Sequence, residues 1–228
     1  MALAAVGVAT AVAFAFHDHI LEWLARPLPP EHRHLAAFGV TEPFSVSIAV
    51  SLYAGLLFAL PVILSQLWSF LAPALDPTAE RRILLLAVFG LLLGAAGLAF
   101  GYGVLLPRSV HWLTNYDTTH FKILIRASSY YSFVVSVLLG VVCVFETPLV
   151  VLALVNLGVL SSAGLRRNRR KGYFVVAAIA LALPGPDPVT TVLELLPMWA
   201  LFEGSIWLAV FVERRQPAPN ETAGEALL

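Results

Sequence analysis

Three glutamates lie inside strongly apolar stretches of the chain. Glu146 lies two positions before Pro148, while Glu194 and Glu203 share the last apolar stretch. An acid at the centre of a membrane helix costs ~2.5–3.5 kcal/mol. We therefore expect Glu146 either to face a polar cavity or binding surface, or to be protonated and hydrogen-bonded to a neighbouring helix, beside a kink at Pro148. We expect Glu194 near the outer surface, in contact with solvent, and Glu203 deeper in the membrane.

Residues 17–43 hold several side chains that could bind zinc. They are His17, His19, His32, His34, Asp18, Glu22 and Glu31. Histidines two positions apart do not converge on one face of a helix. We predict a polar loop at the membrane interface and no metal site.

Sequence signatures of catalysis are missing. The chain contains no G-x-x-x-x-G-K-[ST], no G-x-S-x-G and no H-E-x-x-H. ATP hydrolysis and proteolysis therefore have no residues to support them. We predict that the chain is not an enzyme and that it has no cofactor.

The composition identifies a membrane protein. Of 228 residues, 59% are hydrophobic and 12% are charged, whereas a soluble domain has about 25% charged residues. The basic and acidic residues balance at 14 each, so no net charge is available to bind nucleic acid. The single cysteine, Cys143, excludes an internal disulfide.

Six apolar runs predict an all-α domain over residues 1–215, with six transmembrane helices. The runs are 2–16, 44–72, 83–107, 127–160, 173–183 and 189–212. A spanning helix needs ~20 residues. The fifth run is therefore too short to cross a bilayer of full thickness, and charged residues and Pro197 interrupt the sixth, so we expect both helices to be short.

Lysines and arginines predict that both termini are cytoplasmic. Nine fall on one side of the predicted bundle: Arg81, Arg82, Arg166, Arg167, Arg169, Arg170, Lys171, Arg214 and Arg215. Five fall on the other: Arg26, Arg33, Arg108, Lys122 and Arg126. Residues 216–228 are then a disordered cytoplasmic tail.

Four glycines give the third run a smooth face. Gly90, Gly94, Gly97 and Gly101 follow one another at spacings of four, three and four. Small residues in this pattern let another backbone approach closely. Packing inside the bundle is favoured over a contact between subunits.

A series of short segments carries a more specific signal. In chain order these are Thr41-Glu42-Pro43-Phe44, residues 60–75 (LPVILSQLWSFLAPAL), Glu80-Arg81-Arg82, Phe100-Gly101-Tyr102, Leu106-Pro107, Tyr130-Tyr131-Ser132-Phe133, Phe145-Glu146-Thr147-Pro148, Pro186-Asp187, Leu196-Pro197 and Phe202-Glu203. As an ordered set they resemble TatC, the large subunit of the twin-arginine (Sec-independent) protein translocase. The resemblance covers about Pro27 to Arg215 and implies a glove-like bundle of six helices.

The resemblance also implies a function. TatC proteins bind signal peptides that carry paired arginines at the cytoplasmic face, and they recruit single-span TatA and TatB partners to export folded proteins with the proton-motive force. Glu80 matches the central glutamate of the first cytoplasmic loop, and a carboxylate suits a guanidinium better than an ammonium group. Phe70, Arg81 and Arg82 belong to the same expected signal-peptide site.

Other matched positions have roles that the resemblance alone implies. Glu146, with Gln66 and Glu203, forms the polar positions inside the membrane. Pro27 matches the outer cap, and Asp187 an acid of the last outer loop. The partner-docking region includes Leu181, Pro184 and Thr191. A homo-oligomer within a complex in the bacterial or archaeal cytoplasmic membrane is expected.

Two departures from the family pattern stand out. The stretch H-L-x-E-L-R-x-R-L that usually opens the family has no counterpart before Ala2, so either the start lies further upstream or the signal-peptide site is incomplete here. Residues 184–187 read Pro-Gly-Pro-Asp, followed by Thr190-Thr191, where the family often has Thr-Pro-Pro-Asp followed by Ser-Gln.

Two alternatives to the receptor stay open at this point. One is a small proton-coupled secondary transporter that uses Glu146 at the midplane, although no internal repeat is visible. The other is a membrane scaffold that binds only membrane partners and no longer recognises signal peptides.

Overall fold

The structure is a computed structural model that describes residues 2–33, 35–71, 79–116, 120, 123–182 and 188–213. Within these ranges the chain is mainly helical, and its one β-bridge joins Ala36 to Arg126. Four helical stretches of the described residues are long and apolar enough to span a membrane, and a bent pair of helices makes a fifth if the two are counted as one span.

The bent pair comes first. Helix α1 (Ala2–Ala15) and helix α2 (His17–Ala25) meet at 76°. Helix α1 packs along α3 (Glu42–Leu71), and at Gly55 the backbones approach so closely that a Cβ would lie 2.7 Å from Cα of Thr10. Only glycine fits this crossing.

The next span runs without a break in its axis through a short π-helical segment. Helix α4 (Ala79–Phe100) leads into the π-helix Gly101–Leu105 and then into α5 (Leu106–Asn115). A Cβ at Gly97 would lie 3.0 Å from the side chain of Phe145. The glycine face therefore packs inside the bundle, as expected.

Helices α6 (Ala127–Phe145) and α7 (Thr147–Asn156) form the most buried span, interrupted at Glu146. Pro148 lies in the first turn of α7, where its missing N–H is tolerated because no intrahelical bond would use it. The helix is thus interrupted at Glu146, two residues before Pro148, where a kink was predicted.

The last part of the chain contains α8 (Ser162–Arg167), α9 (Arg169–Ala182) and α10 (Pro188–Glu213). The 14 residues of α9 extend ~21 Å, so this helix is short, as expected. Helix α10 is longer than expected, with 26 residues, because Pro197 does not end it. Neighbouring helices can compensate for the lost hydrogen bond of a proline in a membrane helix.

The bundle has two chemically different ends. We call the end that carries Arg166–Lys171 the arginine-rich end; α3 ends and α4 begins there. We call the end that carries α2 the cap end; α3 and α6 begin there.

Candidate functional site

Glu146 lies at the junction of α6 and α7 with only 6% of its surface exposed. A Cβ at Gly90 would lie 3.2 Å from its Oε2 and one at Gly94 would lie 3.2 Å from its Oε1. Neither oxygen has a hydrogen-bond partner within the described ranges. The bond to a neighbouring helix, one of the two alternatives predicted for Glu146, is therefore absent there, and protein contacts do not offset the cost of removing this carboxyl from water.

Gln66 and Glu203, the other two polar residues expected inside the membrane, form hydrogen bonds away from Glu146. Gln66, which is half-buried, accepts a hydrogen bond of 2.9 Å from the backbone N–H of Ala2. It thereby joins the beginning of α1 to α3. Glu203 belongs to a different pair of helices, so neither residue contributes a partner for Glu146.

Glu203 joins α9 to α10 at the arginine-rich end. It accepts a hydrogen bond from the hydroxyl of Tyr173 and lies 3.3 Å from Nη2 of Arg169. The ring of Tyr173 also packs edge-on against Phe202. One acid thus holds the first two turns of the short α9 against its neighbour.

Glu194 does not lie where the sequence predicted. Its side chain is 4% exposed, so the expectation of a solvated surface position is wrong. It faces a small cavity that is also lined by Phe100, Phe145 and Met198. Glu194 interrupts an apolar run of the sequence, but the bundle buries it all the same.

The residues expected at the signal-peptide site lie at the ends of two consecutive helices. Phe70 is in the last turn of α3, and Glu80 is in the first turn of α4 together with Arg81 and Arg82. Their side chains, and residues 72–78 between the helices, lie outside the described part of the structure. The backbone alone puts these positions at the arginine-rich end.

The expected cap and partner positions are spread over several elements. Pro27 is half-buried in the turn after α2. Leu181 is 75% exposed near the end of α9, and Thr191 is half-buried at the start of α10. Pro184 and Asp187 lie outside the described residues.

The sequence analysis missed an ion pair at the cap end. Glu42 is 7% exposed and accepts hydrogen bonds from Arg126 Nε at 2.8 Å, from the N–H of Ser128 at 3.1 Å and from the N–H of Phe38 at 2.9 Å. The hydrogen bond to Glu42 raises the pKa of Arg126 above its usual value. An acid directly before Pro43, at the start of a long apolar run, was the available signal.

Three tyrosines that were also missed hold the cap helix α2. The hydroxyls of Tyr102, Tyr130 and Tyr131 donate hydrogen bonds to the carbonyls of Trp23, Leu24 and Leu21, at 2.9, 2.8 and 3.2 Å respectively. The last four carbonyls of a helix have no partner four residues further along it. The carbonyl of Leu24 is one of these, whereas that of Trp23 also accepts a hydrogen bond from the N–H of Arg26 and that of Leu21 lies one turn earlier. The transmembrane helices thus supply the C-terminal cap of α2.

The arrangement as a whole is a membrane bundle with a bonded cap and a buried acid facing a glycine surface. A family described as the Sec-independent protein translocase protein TatC matches residues 1–197. The chain belongs to the TatC family.

Individual TatC proteins match nearly the whole chain. TatCd of Bacillus subtilis (strain 168) is 36% identical over 225 residues, which cover 98% of this chain and 91% of that protein. TatC of Carboxydothermus hydrogenoformans is 31% identical over 222 residues, covering 97% and 89%. A crystal structure of the twin arginine translocase receptor TatC has a TM-score of 0.77 at 29% identity and covers 92% of this chain and 93% of that one.

The match to TatC proteins tests several predictions made from the sequence. The all-α, six-helix, glove-like membrane bundle is confirmed. The chain is a component of a protein translocase, a transport subunit that works with other subunits, and it is not an enzyme. Neither the roles of individual residues nor the identity of the partners follows from the match.

Proposed function

We propose that this chain is the receptor and core subunit of a twin-arginine translocase in a bacterial or archaeal cytoplasmic membrane. The observation that carries the proposal is the likeness to the TatC receptor over 92% of the chain at a TM-score of 0.77. In this proposal the arginine-rich end faces the cytoplasm with both termini, and the cap end faces outward. The excess of basic residues at the first end supports that orientation.

Glu80 is the residue proposed to recognise the paired arginines of the signal peptide. A carboxylate can accept two parallel hydrogen bonds from one guanidinium, whereas an ammonium group binds as a single point charge. The position of Glu80 in the first turn of α4 supports the proposal, because a helix N-terminus stabilises a carboxylate in the unbound state. Phe70 is proposed to contact the apolar part of the peptide, and Arg81 and Arg82 to keep the empty site from being strongly acidic.

The partner-docking surface is proposed on the short helix α9 and the beginning of α10. Leu181 and Phe174 are each 75% exposed on α9. A 14-residue helix leaves the adjacent bilayer thinner than ~30 Å. TatA-like and TatB-like single-span proteins are the proposed partners at Leu181, Pro184 and Thr191, in a complex that holds more than one copy of this chain.

Glu146 is proposed to be a polar contact point on the inner face of the bundle, used when cargo or partners bind. Its unpartnered carboxyl oxygens against Gly90 and Gly94 support this role. A proton-coupled transporter would use the same acid in a different way. The family match favours the translocase over that alternative. A scaffold without cargo recognition would share the match, and the export test distinguishes it from a receptor.

The proposed function can be tested by measuring the export of a reporter protein in cells that lack their own TatC. The cells would express the full chain, partner subunits and a reporter that folds before export, carrying either an Arg-Arg or a Lys-Lys signal peptide. We expect export of the Arg-Arg reporter only, driven by the proton-motive force, and its loss in Glu80→Gln.

Glu213→Gln is the matched control, since this acid ends α10 at the same end of the bundle. It should leave export unchanged. Export of both reporters to the same extent, or full export by Glu80→Gln, would overturn the proposed recognition. Loss of uptake of a small solute in Glu146→Gln, with export intact, would favour the transporter.

A further inference from the structure

A cavity of about 400 Å³ lies between α3 and α6 at the cap end. Hydroxyl groups of Thr41, Ser45 and Ser132 line it together with Arg126. Ser45 and Ser132 are exposed residues. The cavity therefore offers several hydrogen-bond donors in one place.

The wall of the same cavity becomes apolar further along the two helices. Val46 and Val50 of α3 and Val135 of α6 form the buried base of this part, and the partly exposed Ala49 lines it as well. A second cavity, of about 170 Å³, shares Val50 and Val135 and is lined mainly by apolar side chains, Leu57 and Leu138 among them. The seam between α3 and α6 thus changes from polar to hydrocarbon along its length.

The change from a polar to an apolar lining can be compared with the change from headgroups to acyl chains in a bilayer. The membrane-spanning stretches of α3 and α6 begin at Glu42 and Ala127, directly beside the polar part of the cavity. From Glu42 to Val50 the helix rises ~12 Å. In a bilayer that covers these stretches, the polar part would be level with the lipid headgroups and the apolar part with the acyl chains.

Arg126 supplies the charge that an anionic group would need. Its bond to Glu42 uses Nε, its two Nη groups make no hydrogen bond to the described residues, and its side chain is 52% exposed. Besides Arg126, the backbone N–H groups of Phe38 and Ser128 donate hydrogen bonds to Glu42 and help to stabilise its negative charge. A guanidinium with nearby hydroxyls suits the oxygens of a phosphate.

We propose that this cavity binds a phospholipid of the surrounding bilayer. The phosphate is bound by the Nη groups of Arg126 and by the hydroxyls of Ser45 and Ser132, and one acyl chain lies along Ala49 and Leu57, which are partly exposed residues of the same helix as Ser45. A bound lipid then bridges the beginnings of α3 and α6. The site is separate from the residues proposed for signal peptides and partners, so it goes beyond the proposed function.

Exposed apolar side chains beside the cavity support contact with lipid rather than with water. Phe38 and Phe44 are 65% and 62% exposed, and Val40 is fully exposed. Aromatic side chains commonly occupy the interfacial region of a membrane. These side chains suit contact with a bilayer, in which phospholipids are the most abundant molecules that carry both a phosphate and an acyl chain.

Native mass spectrometry of the full chain, released from detergent micelles, tests the proposal. The additions are phosphatidylglycerol, phosphatidylcholine, a diacylglycerol with the same acyl chains, and inorganic phosphate. We expect both phospholipids to be retained and the diacylglycerol to bind about tenfold more weakly, because it makes no charge-assisted hydrogen bonds. Inorganic phosphate should not displace the phospholipids.

Arg126→Gln should weaken phospholipid retention about tenfold. Arg108→Gln is the matched control, because Arg108 is an exposed arginine of α5 that does not line the cavity. Ser45→Phe occupies the cavity from an exposed position and leaves the Glu42–Arg126 pair intact. It should reduce retention at an unchanged melting temperature, and it decides the matter if Arg126→Gln does not fold.

Three results would each overturn the proposal. The first is equal retention of diacylglycerol and phospholipid, which would indicate apolar contact only. The second is displacement of phospholipid by inorganic phosphate, which would indicate a site for a free anion. The third is unchanged retention in a folded Arg126→Gln, or in Ser45→Phe.

Discussion

Arg126 donates a hydrogen bond of 2.8 Å to Glu42 across 84 positions of the sequence. The same carboxylate accepts from the N–H of Ser128 in the first turn of α6, where helix N–H groups have no partner inside the helix. It also accepts from Phe38, beside the bridge between Ala36 and Arg126. One acid therefore joins the loop after the cap, the start of α3 and the start of α6.

Glu42→Gln should lower the melting temperature of the purified protein. The amide cannot supply the charge that Arg126 and the two N–H groups bind, so all three contacts weaken together. Thermal unfolding in detergent measures the effect. Glu31→Gln, an exposed acid near the cap, is the control and should change nothing. Equal melting temperatures for the two variants would show that the pair does not stabilise the cap end.

The capping of α2 by tyrosine hydroxyls gives a second prediction. Tyr130→Phe removes the donor to the carbonyl of Leu24 and leaves that buried acceptor unpaired, which costs about 1–3 kcal/mol. We expect faster amide hydrogen exchange in α2 and a lower melting temperature. Tyr116→Phe, at a tyrosine that is 65% exposed, should have neither effect. Unchanged exchange in α2 would contradict the capping role.

The crossing of α1 and α3 gives a third prediction. Gly55→Ala places a Cβ 2.6–2.7 Å from the backbone of Thr10, so the helices must separate, at about 1–3 kcal/mol. Thermal unfolding should show the loss. Gly103→Ala is the control, because nothing lies within 4 Å of a Cβ there. A Gly55→Ala protein as stable as Gly103→Ala would mean that α1 does not pack as described.

The buried acid gives a prediction in which stability and function move in opposite directions. Glu146→Leu replaces an unpartnered carboxyl of similar size by an apolar side chain, so we expect a stabilisation of about 1–3 kcal/mol. Export should fall, because the polar contact on the inner face is lost. Thermal unfolding and export of a folded reporter are measured on the same variant. A destabilised protein would mean that Glu146 has a partner in the folded state.

Much of the fold was predictable because its signal is local. An apolar run needs no partner to be recognised, and a helix is the simplest way to satisfy its backbone in lipid. The short α9, the break beside Glu146 and the inward-packing glycines all follow from residues close together in the sequence. The length of α10 did not follow, because tolerance of Pro197 depends on its neighbours.

The bonded cap was not predictable for the opposite reason. Tyr130 and Tyr131 bind carbonyls that precede them by 106 and 110 positions, and no spacing rule connects such pairs. The burial of Glu194 likewise depends on other helices. The positions of Glu80 and Phe70 were indicated only by family resemblance, since a lone acid ahead of a helix is a common surface feature.

The most direct test of the receptor function is the affinity of a labelled twin-arginine signal peptide for this chain in nanodiscs. Arg-Arg and Lys-Lys peptides would be compared on the wild type and on Glu80→Gln. We expect the wild type to bind Arg-Arg at least about tenfold more tightly, and Glu80→Gln to lose that preference. Equal binding of the two peptides to the wild type would contradict recognition of paired arginines by this chain.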